Sequence, residues 1–150
     1  DLVLDWGSRS FILGGYVTDC APDVLDAFVE HVRSVPGDSS ISITAMGGAI
    51  DRFADDSAAY TGRGRPFDVS PDTSWSEPAL DGANAAWVRG AMAIVEPHLT
   101  SGRYINELSD GGPEMTLSSY GDAKLERLHE LKRAWDPTNV FRLNHNIDPG

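Results

Sequence analysis

Tyr104, Asn106 and Glu107 lie close together and carry side chains suited to chemistry. A phenol and a carboxamide can hydrogen-bond the polar edge of a ring or an oxygenated substrate. A carboxylate beside them can take a proton from a substrate hydroxyl if burial raises its pKa toward neutrality. Alternation along a predicted strand over residues 103–108 puts Tyr104 and Asn106 on one face and Glu107 on the other, unless a bulge re-aims it. Taken alone, Tyr104 and Asn106 serve equally well to satisfy interior backbone groups, and Glu107 as a solvated strand residue.

Other chemistries lack an anchor. His31, His98, His129 and His145 are scattered, with no His-x-x-x-His pair for a metal. No Gly-x-Ser-x-Gly elbow presents a nucleophile. Gly14-Gly15 is too short for a dinucleotide fingerprint, and Ser109-Asp110-Gly111-Gly112 reads as a turn rather than a calcium loop. Gly62-Arg63-Gly64-Arg65 suits a turn with solvated arginines better than an anion cradle. The single Cys20 excludes internal disulfides and cysteine-built metal sites. Cys20 precedes Ala21-Pro22 at a predicted helix start, where either a lowered thiol pKa or an ordinary loop-edge residue fits.

The elements that must position these residues mix α and β patterns. Residues 11–17 form a short apolar run that reads as a strand. Pro22 opens a helix, and Val24, Leu25, Phe28, Val29 and Val32 follow at helical spacing as its inward face. Pro36-Gly37-Asp38 ends it. Residues 41–46 alternate with period two, with Ile41, Ile43 and Ala45 on one face and Ser42, Thr44 and Met46 on the other. Ala58-Ala59-Tyr60 and Phe67-Asp68-Val69 read as pieces of a strand, and residues 70–80, rich in proline, as an ordered loop or strand edge. A helix follows over about 81–96, with Trp87, Ala91, Ile94 and Val95 inward. Asp122 is a predicted N-cap for a last helix carrying Leu125, Leu128 and Leu131, with Leu128 and Trp135 as core contacts, stopped by Asp136-Pro137.

With 150 residues and 41% apolar content the chain can bury one core. A net charge of −11 argues against a nucleic-acid partner. No run approaches the ~18 apolar residues of a membrane span, and the absence of a signal peptide leads to an expected cytoplasmic location. The opening Asp1-Leu2-Val3-Leu4-Asp5-Trp6 lacks an initiator Met and resembles the inside of a domain.

Several motifs recur together in one known pattern. They are residues 41–50 with Gly47-Gly48, Ala58-Ala59-Tyr60 with Arg63, and Trp87-Val88-Arg89. After them come Tyr104-Ile105-Asn106, Tyr120-Gly121, Asp136-Pro137-Thr138-Asn139-Val140-Phe141 and Asn144-His145-Asn146-Ile147. In this order they resemble the C-terminal part of the berberine-bridge-enzyme-like FAD-linked oxidoreductases, of the vanillyl-alcohol-oxidase-like fold. The resemblance implies an α+β fold, an antiparallel sheet backed by helices. Residues 1–103 are then a partial substrate-binding domain and 104–150 the returning C-terminal segment, with the FAD-binding domain outside this chain. That domain, in the same protein or a separate chain, is the implied partner, alongside a small-molecule substrate.

The implied reaction is oxidation of an alcohol, sugar or amine carbon by hydride transfer to flavin. Ser42, Thr44, Met46 and Tyr104 correspond to substrate-binding positions, and Asn106 and Asn144 to positions near the cofactor. Asn144 and Asn146 also resemble a turn that docks the chain end. Where plant relatives place a basic tyrosine after the asparagine, this chain has Glu107, the candidate base. Gly62 departs from the histidine that relatives often place before the arginine. The other reading is a free-standing ligand-binding or interaction domain without redox activity.

Overall fold

The computed structural model describes residues 7–35 and 38–150. The opening residues 1–6 and the predicted helix stop at Pro36-Gly37 lie outside them. Four strands make one antiparallel sheet: β1 (Arg9–Ile12), β2 (Gly15–Val17), β3 (Asp38–Ala45) and β4 (Phe67–Trp75). The helices are α1 (Pro22–Val32), α2 (Asp81–Val95) and α3 (Pro113–Trp135). The α+β expectation holds.

β4 is central. β3 pairs along its length from Ala45 opposite Phe67 to Asp38 opposite Ser74. β1 and β2 share its other side, with Arg9 opposite Trp75 and Val17 opposite Phe67. The predicted single strand over 11–17 is therefore split, although both halves keep one register. The split falls opposite Pro71, which has no N–H to give. Leu13 N–H still donates to the Pro71 carbonyl at 3.2 Å, but nothing returns. Pro71 is fully buried in the central strand, an unusual place for proline, and it accounts for the mistaken loop over 70–80.

One sheet face is covered by α1 and α2. Val24 and Phe28 of α1 and Trp87, Val88, Ala91, Met92 and Val95 of α2 are buried against Leu13, Val17 and Val69. Burial of each such large side chain contributes about 1.5–3 kcal/mol. Leu25, Val29 and Val32 are exposed instead, Val29 at 58%; α1 buries only a narrow stripe. A polar chain locks α2 down. The Ser39 hydroxyl donates to Thr73 Oγ1, which donates to Asn84 Oδ1 at 2.8 Å, and Asn84 Nδ2 donates to the Leu80 carbonyl at 2.9 Å. Asn84 is fully buried, so each bond spares an unpaired interior group. α1 and α2 meet where the His31 ring stacks on Trp87 and Nε2 donates to the Trp87 carbonyl. A Cβ at Gly90 would come within 2.9 Å of that ring.

Residues 99–109 run along the outer edge of β1 and β2, where alternate carbonyls point away from β4. Thr100 N–H donates to the Tyr16 carbonyl and Ser109 N–H to that of Ile12. Between them the Gly14 carbonyl takes a bond from the Arg103 guanidinium at 2.9 Å. The predicted strand over 103–108 is absent. Two isolated bridges, Val17 to Leu99 and Leu13 to Leu108, flank a 3₁₀ turn at Ile105–Glu107. Ala58-Ala59-Tyr60 is likewise not a strand.

α3 begins at Pro113, before the predicted cap, and breaks at Gly121 (φ 70°, ψ 167°). The helix resumes at Asp122, the predicted cap, directly after this break. Leu125 and Leu128 are half-buried, whereas Trp135 is 85% exposed rather than in the core. Asp136 fixes the turn that follows, accepting from Val140 N–H, Phe141 N–H and Lys132 Nζ.

Candidate functional site

The sheet face away from α1 and α2 is polar. Directly opposed residues point the same way, so Asp68, Ser70, Asp72 and Ser74 of β4 share this face with Ser40, Ser42 and Thr44 of β3, Tyr16 of β2 and Ser10 of β1. Ser42 and Thr44 are exposed there, as their spacing predicts. Met46 lies past the strand end, half-buried, its N–H on the Pro66 carbonyl. Ile43, on the opposite face, stays 40% exposed.

At the β2 end this face closes over a cluster of acids and phenols. Asp68 is 4% exposed and Tyr16 is fully buried. The 3₁₀ turn, closed by Glu107 N–H on the Tyr104 carbonyl at 3.0 Å, carries Glu107 onto the strand over Gly14. A Cβ at Gly14 would lie 2.9 Å from Glu107 Oε2, so a glycine is required for the carboxylate to sit there. Gly14-Gly15 thus serves close approach on both faces, since a Cβ at Gly15 would lie 2.6 Å from Leu99 on the other. Glu107 comes beside Asp68, within hydrogen-bonding reach once one of them holds a proton. Burial first, then the neighbouring Glu107, pushes the Asp68 carboxyl up to about 8. Burial likewise raises the Tyr16 and Tyr60 hydroxyls above the ordinary phenol range.

Tyr60 stands over Gly62, whose Cβ would meet the Tyr60 hydroxyl at 2.0 Å and that of Tyr16 at 2.9 Å. The space that a side chain at 62 would take is filled by Tyr60. Tyr60 meets the Tyr104 ring edge-on at 5.9 Å, and Arg63 lies 5.7 Å over its face. Arg63 and Arg65 are half-buried rather than solvated, donating to the Ile50 carbonyl and the Ser101 hydroxyl. Cys20 is half-buried, and burial pushes its thiol up rather than down.

Asn106 Nδ2 donates to the Tyr104 hydroxyl at 2.9 Å, leaving one amide N–H and the carbonyl free. Asn106 and Asn144 line one open cavity of about 730 Å³ with Ser10, Ser109, Tyr120 and His145. Asn144 is left-handed (φ 57°), and His145 Nε2 donates to the Leu108 carbonyl at 2.7 Å, holding the tail beside the turn that carries Glu107. The structure therefore unites Asn106 with Asn144, and Glu107 with Asp68, while Ser42 and Thr44 stand farther along the same face. Asp68, Tyr16 and Tyr60 were missed from sequence. The signal for Asp68 was the alternation of Asp68, Ser70, Asp72 and Ser74 against Phe67, Val69, Pro71 and Thr73, hidden by reading Pro71 as a break. Among the described residues no group of His, Cys, Asp or Glu could hold a metal, and no helix is long and apolar enough to cross a membrane.

Residues 103–148 match the family described as berberine and berberine like. The chain is 29% identical over 133 residues to the FAD-linked oxidoreductase YgaK of Bacillus subtilis (strain 168), spanning 89% of this chain and 29% of that protein. It is also 29% identical over 129 residues to the aclacinomycin-N/aclacinomycin-A oxidase of Streptomyces galilaeus, spanning 73% and 23%. Its fold is that of berberine bridge enzyme from Eschscholzia californica, with a TM-score of 0.76 at 20% identity over 95% of this chain and 33% of that one. The chain spans about a third of the length of the relatives it matches.

Proposed function

We propose, from the chain's similarity to the berberine-bridge-like FAD-linked oxidoreductases, that it supplies the substrate-facing and C-terminal part of a flavin enzyme oxidising a hydroxyl-bearing carbon. The observation that carries this reading is Glu107, set by its turn over Gly14 at the end of a hydroxyl-lined sheet face. Removing hydride from an alcohol carbon leaves the hydroxyl proton to be taken up, and Glu107 is the group that takes it. Ser42 and Thr44 offer donors and acceptors to a polyhydroxylated substrate such as a sugar or glycoside, with Tyr104 beside the turn and Met46 at the strand end.

Bound FAD would supply the hydride acceptor. The free N–H and carbonyl of Asn106 suit the polar edge of a flavin ring, and Asn144 shares its cavity. These groups fit a ring edge, so the phosphates and adenine are assigned to an N-terminal FAD-binding domain, in the same protein or a separate chain. Exposed Trp135, Phe141 and Leu143, each more than 80% open, favour a chain that docks on such a domain over a free-standing module.

Expression of the complete reading frame tests this. It is expected to yield a yellow protein whose flavin absorbance bleaches with an alcohol or sugar, and Glu107→Gln should slow bleaching by about 10²–10⁴-fold. A full-length protein that binds no FAD overturns the proposal. The isolated 150 residues are expected to show no turnover with added FAD.

A further inference from the structure

Asp68 Oδ1 and Glu107 Oε2 are both buried without a hydrogen-bond partner among the described residues. Neither carboxyl receives a bond from any described donor, yet the two stand within hydrogen-bonding reach of each other. Two ionised carboxylates in this position would repel with no described cation bonded to either, whereas one proton between them gives each buried oxygen a partner.

The surrounding groups do not change this. From β2, Tyr16 faces the pair, and from β3 the uncharged Thr44 stands opposite Asp68. From the loop before β4 come Tyr60 and Arg63, but Arg63 Nη1 is committed to the Ile50 carbonyl. From the terminal segment, Arg103 donates to the Gly14 carbonyl, and Tyr104 accepts from Asn106. Arg63 and Arg103 each give one N–H to a backbone carbonyl, while the Tyr16 and Tyr60 hydroxyls, buried without a partner among the described residues, are neutral and balance no charge.

We infer that Asp68 and Glu107 hold a single proton between them, so that the pair is one acid–base unit in which buried Asp68 carries the proton and half-buried Glu107 is the working carboxylate. Asp68 is thus a positioning residue that acts through Glu107. The rise of the Asp68 carboxyl to about 8 agrees with this arrangement. The inference rests on the reading of Glu107 as proton acceptor and adds its protonation state. Below about 8 the pair is singly charged. Above it Asp68 ionises too, and Glu107 no longer has a protonated partner. Proton uptake from substrate should therefore quicken as pH rises through that value.

The test is infrared difference spectroscopy on the full-length flavoprotein in D₂O, titrated from about pH 6 to about pH 9. The native protein should show a protonated-carboxyl C=O band that disappears with a midpoint near 8. Asp68→Asn should lose that band, and Glu107→Gln should keep it with a lower midpoint, because burial still favours the protonated Asp68 while the neighbouring carboxylate no longer does. Native protein without such a band, a band that survives in Asp68→Asn, or an unchanged midpoint in Glu107→Gln overturns the inference whatever the variants' stability. The spectrum needs no substrate, so the two readings separate. Loss of flavin reduction in Glu107→Gln without the band leaves the proposed function standing and removes the shared proton.

Discussion

Asp68→Asn should change how stability depends on pH. In the folded chain the Asp68 carboxyl keeps its proton to about 8, against 3.8 for a free aspartate. A carboxyl whose folded value is raised stabilises the fold fully below the unfolded value and loses that contribution as pH climbs to the folded one. Between the two limits the unfolded chain has released a proton that the folded chain retains, and each pH unit costs about 1.4 kcal/mol. Over two units, from about pH 5.5 to about pH 7.5, the native protein should lose ~3 kcal/mol from this group alone. Asparagine keeps the shape, donates to Glu107 and cannot titrate. Urea unfolding of both proteins at the two pH values reads the difference, because the other carboxylates contribute alike and cancel. The variant's stability relative to the native protein should rise by ~3 kcal/mol between the two pH values. Parallel losses, agreeing within ~0.5 kcal/mol, would refute the buried pair.

Gly14→Ala should push Glu107 off the strand, since its Cβ would stand 3.1 Å from the Glu107 Cβ and nearer still to Oε2; a stability loss of about 1–3 kcal/mol in denaturant unfolding is expected. Asn84→Ala strips partners from the Thr73 hydroxyl and the Leu80 carbonyl, and should cost about 1–3 kcal/mol, seen as a lower unfolding midpoint with an unchanged denaturant slope. Asp136→Ala should speed amide exchange at Val140 and Phe141 and leave β4 unaffected. Chiefly through Lys132, the Asp136 carboxyl is held below its ordinary range, so its contribution persists above that range and fails only as pH falls below it.

The helices announced themselves in sequence because their signals are local. Pro22 stands at the start of α1, and Trp87, Ala91 and Val95 mark the inner face of α2 at its period. β3 was legible for the same reason, from strict alternation over 41–46. β4 was not, because Pro71 contradicts a central strand on local grounds, and only the flanking strands show how the ladder tolerates it. Trp135 reads as a core contact of its helix, but among the described residues nothing covers it. Of the candidate site, Glu107 is picked out in sequence only by its neighbours Tyr104 and Asn106, and on an expected strand that the structure replaces with a 3₁₀ turn. Asp68 reaches it only through tertiary packing, which no spacing in the chain encodes.

The placement of Glu107 also sets an order of folding. The β3–β4 ladder closes loops of modest length, since Ala45 meets Phe67 twenty-two positions away (67 − 45 = 22). The turn that delivers Glu107 is anchored by Ile12 and Ser109, ninety-seven positions apart in sequence. Longer loops cost more entropy to close, and distant contacts form late. The sheet can therefore assemble with its polar face open, and the carboxyl pair comes into being only when the last third of the chain docks along the outer edge. The carboxyl pair is the last part of the site to assemble, so a chain shortened before residue 99 should keep its β3–β4 ladder and lack the pair.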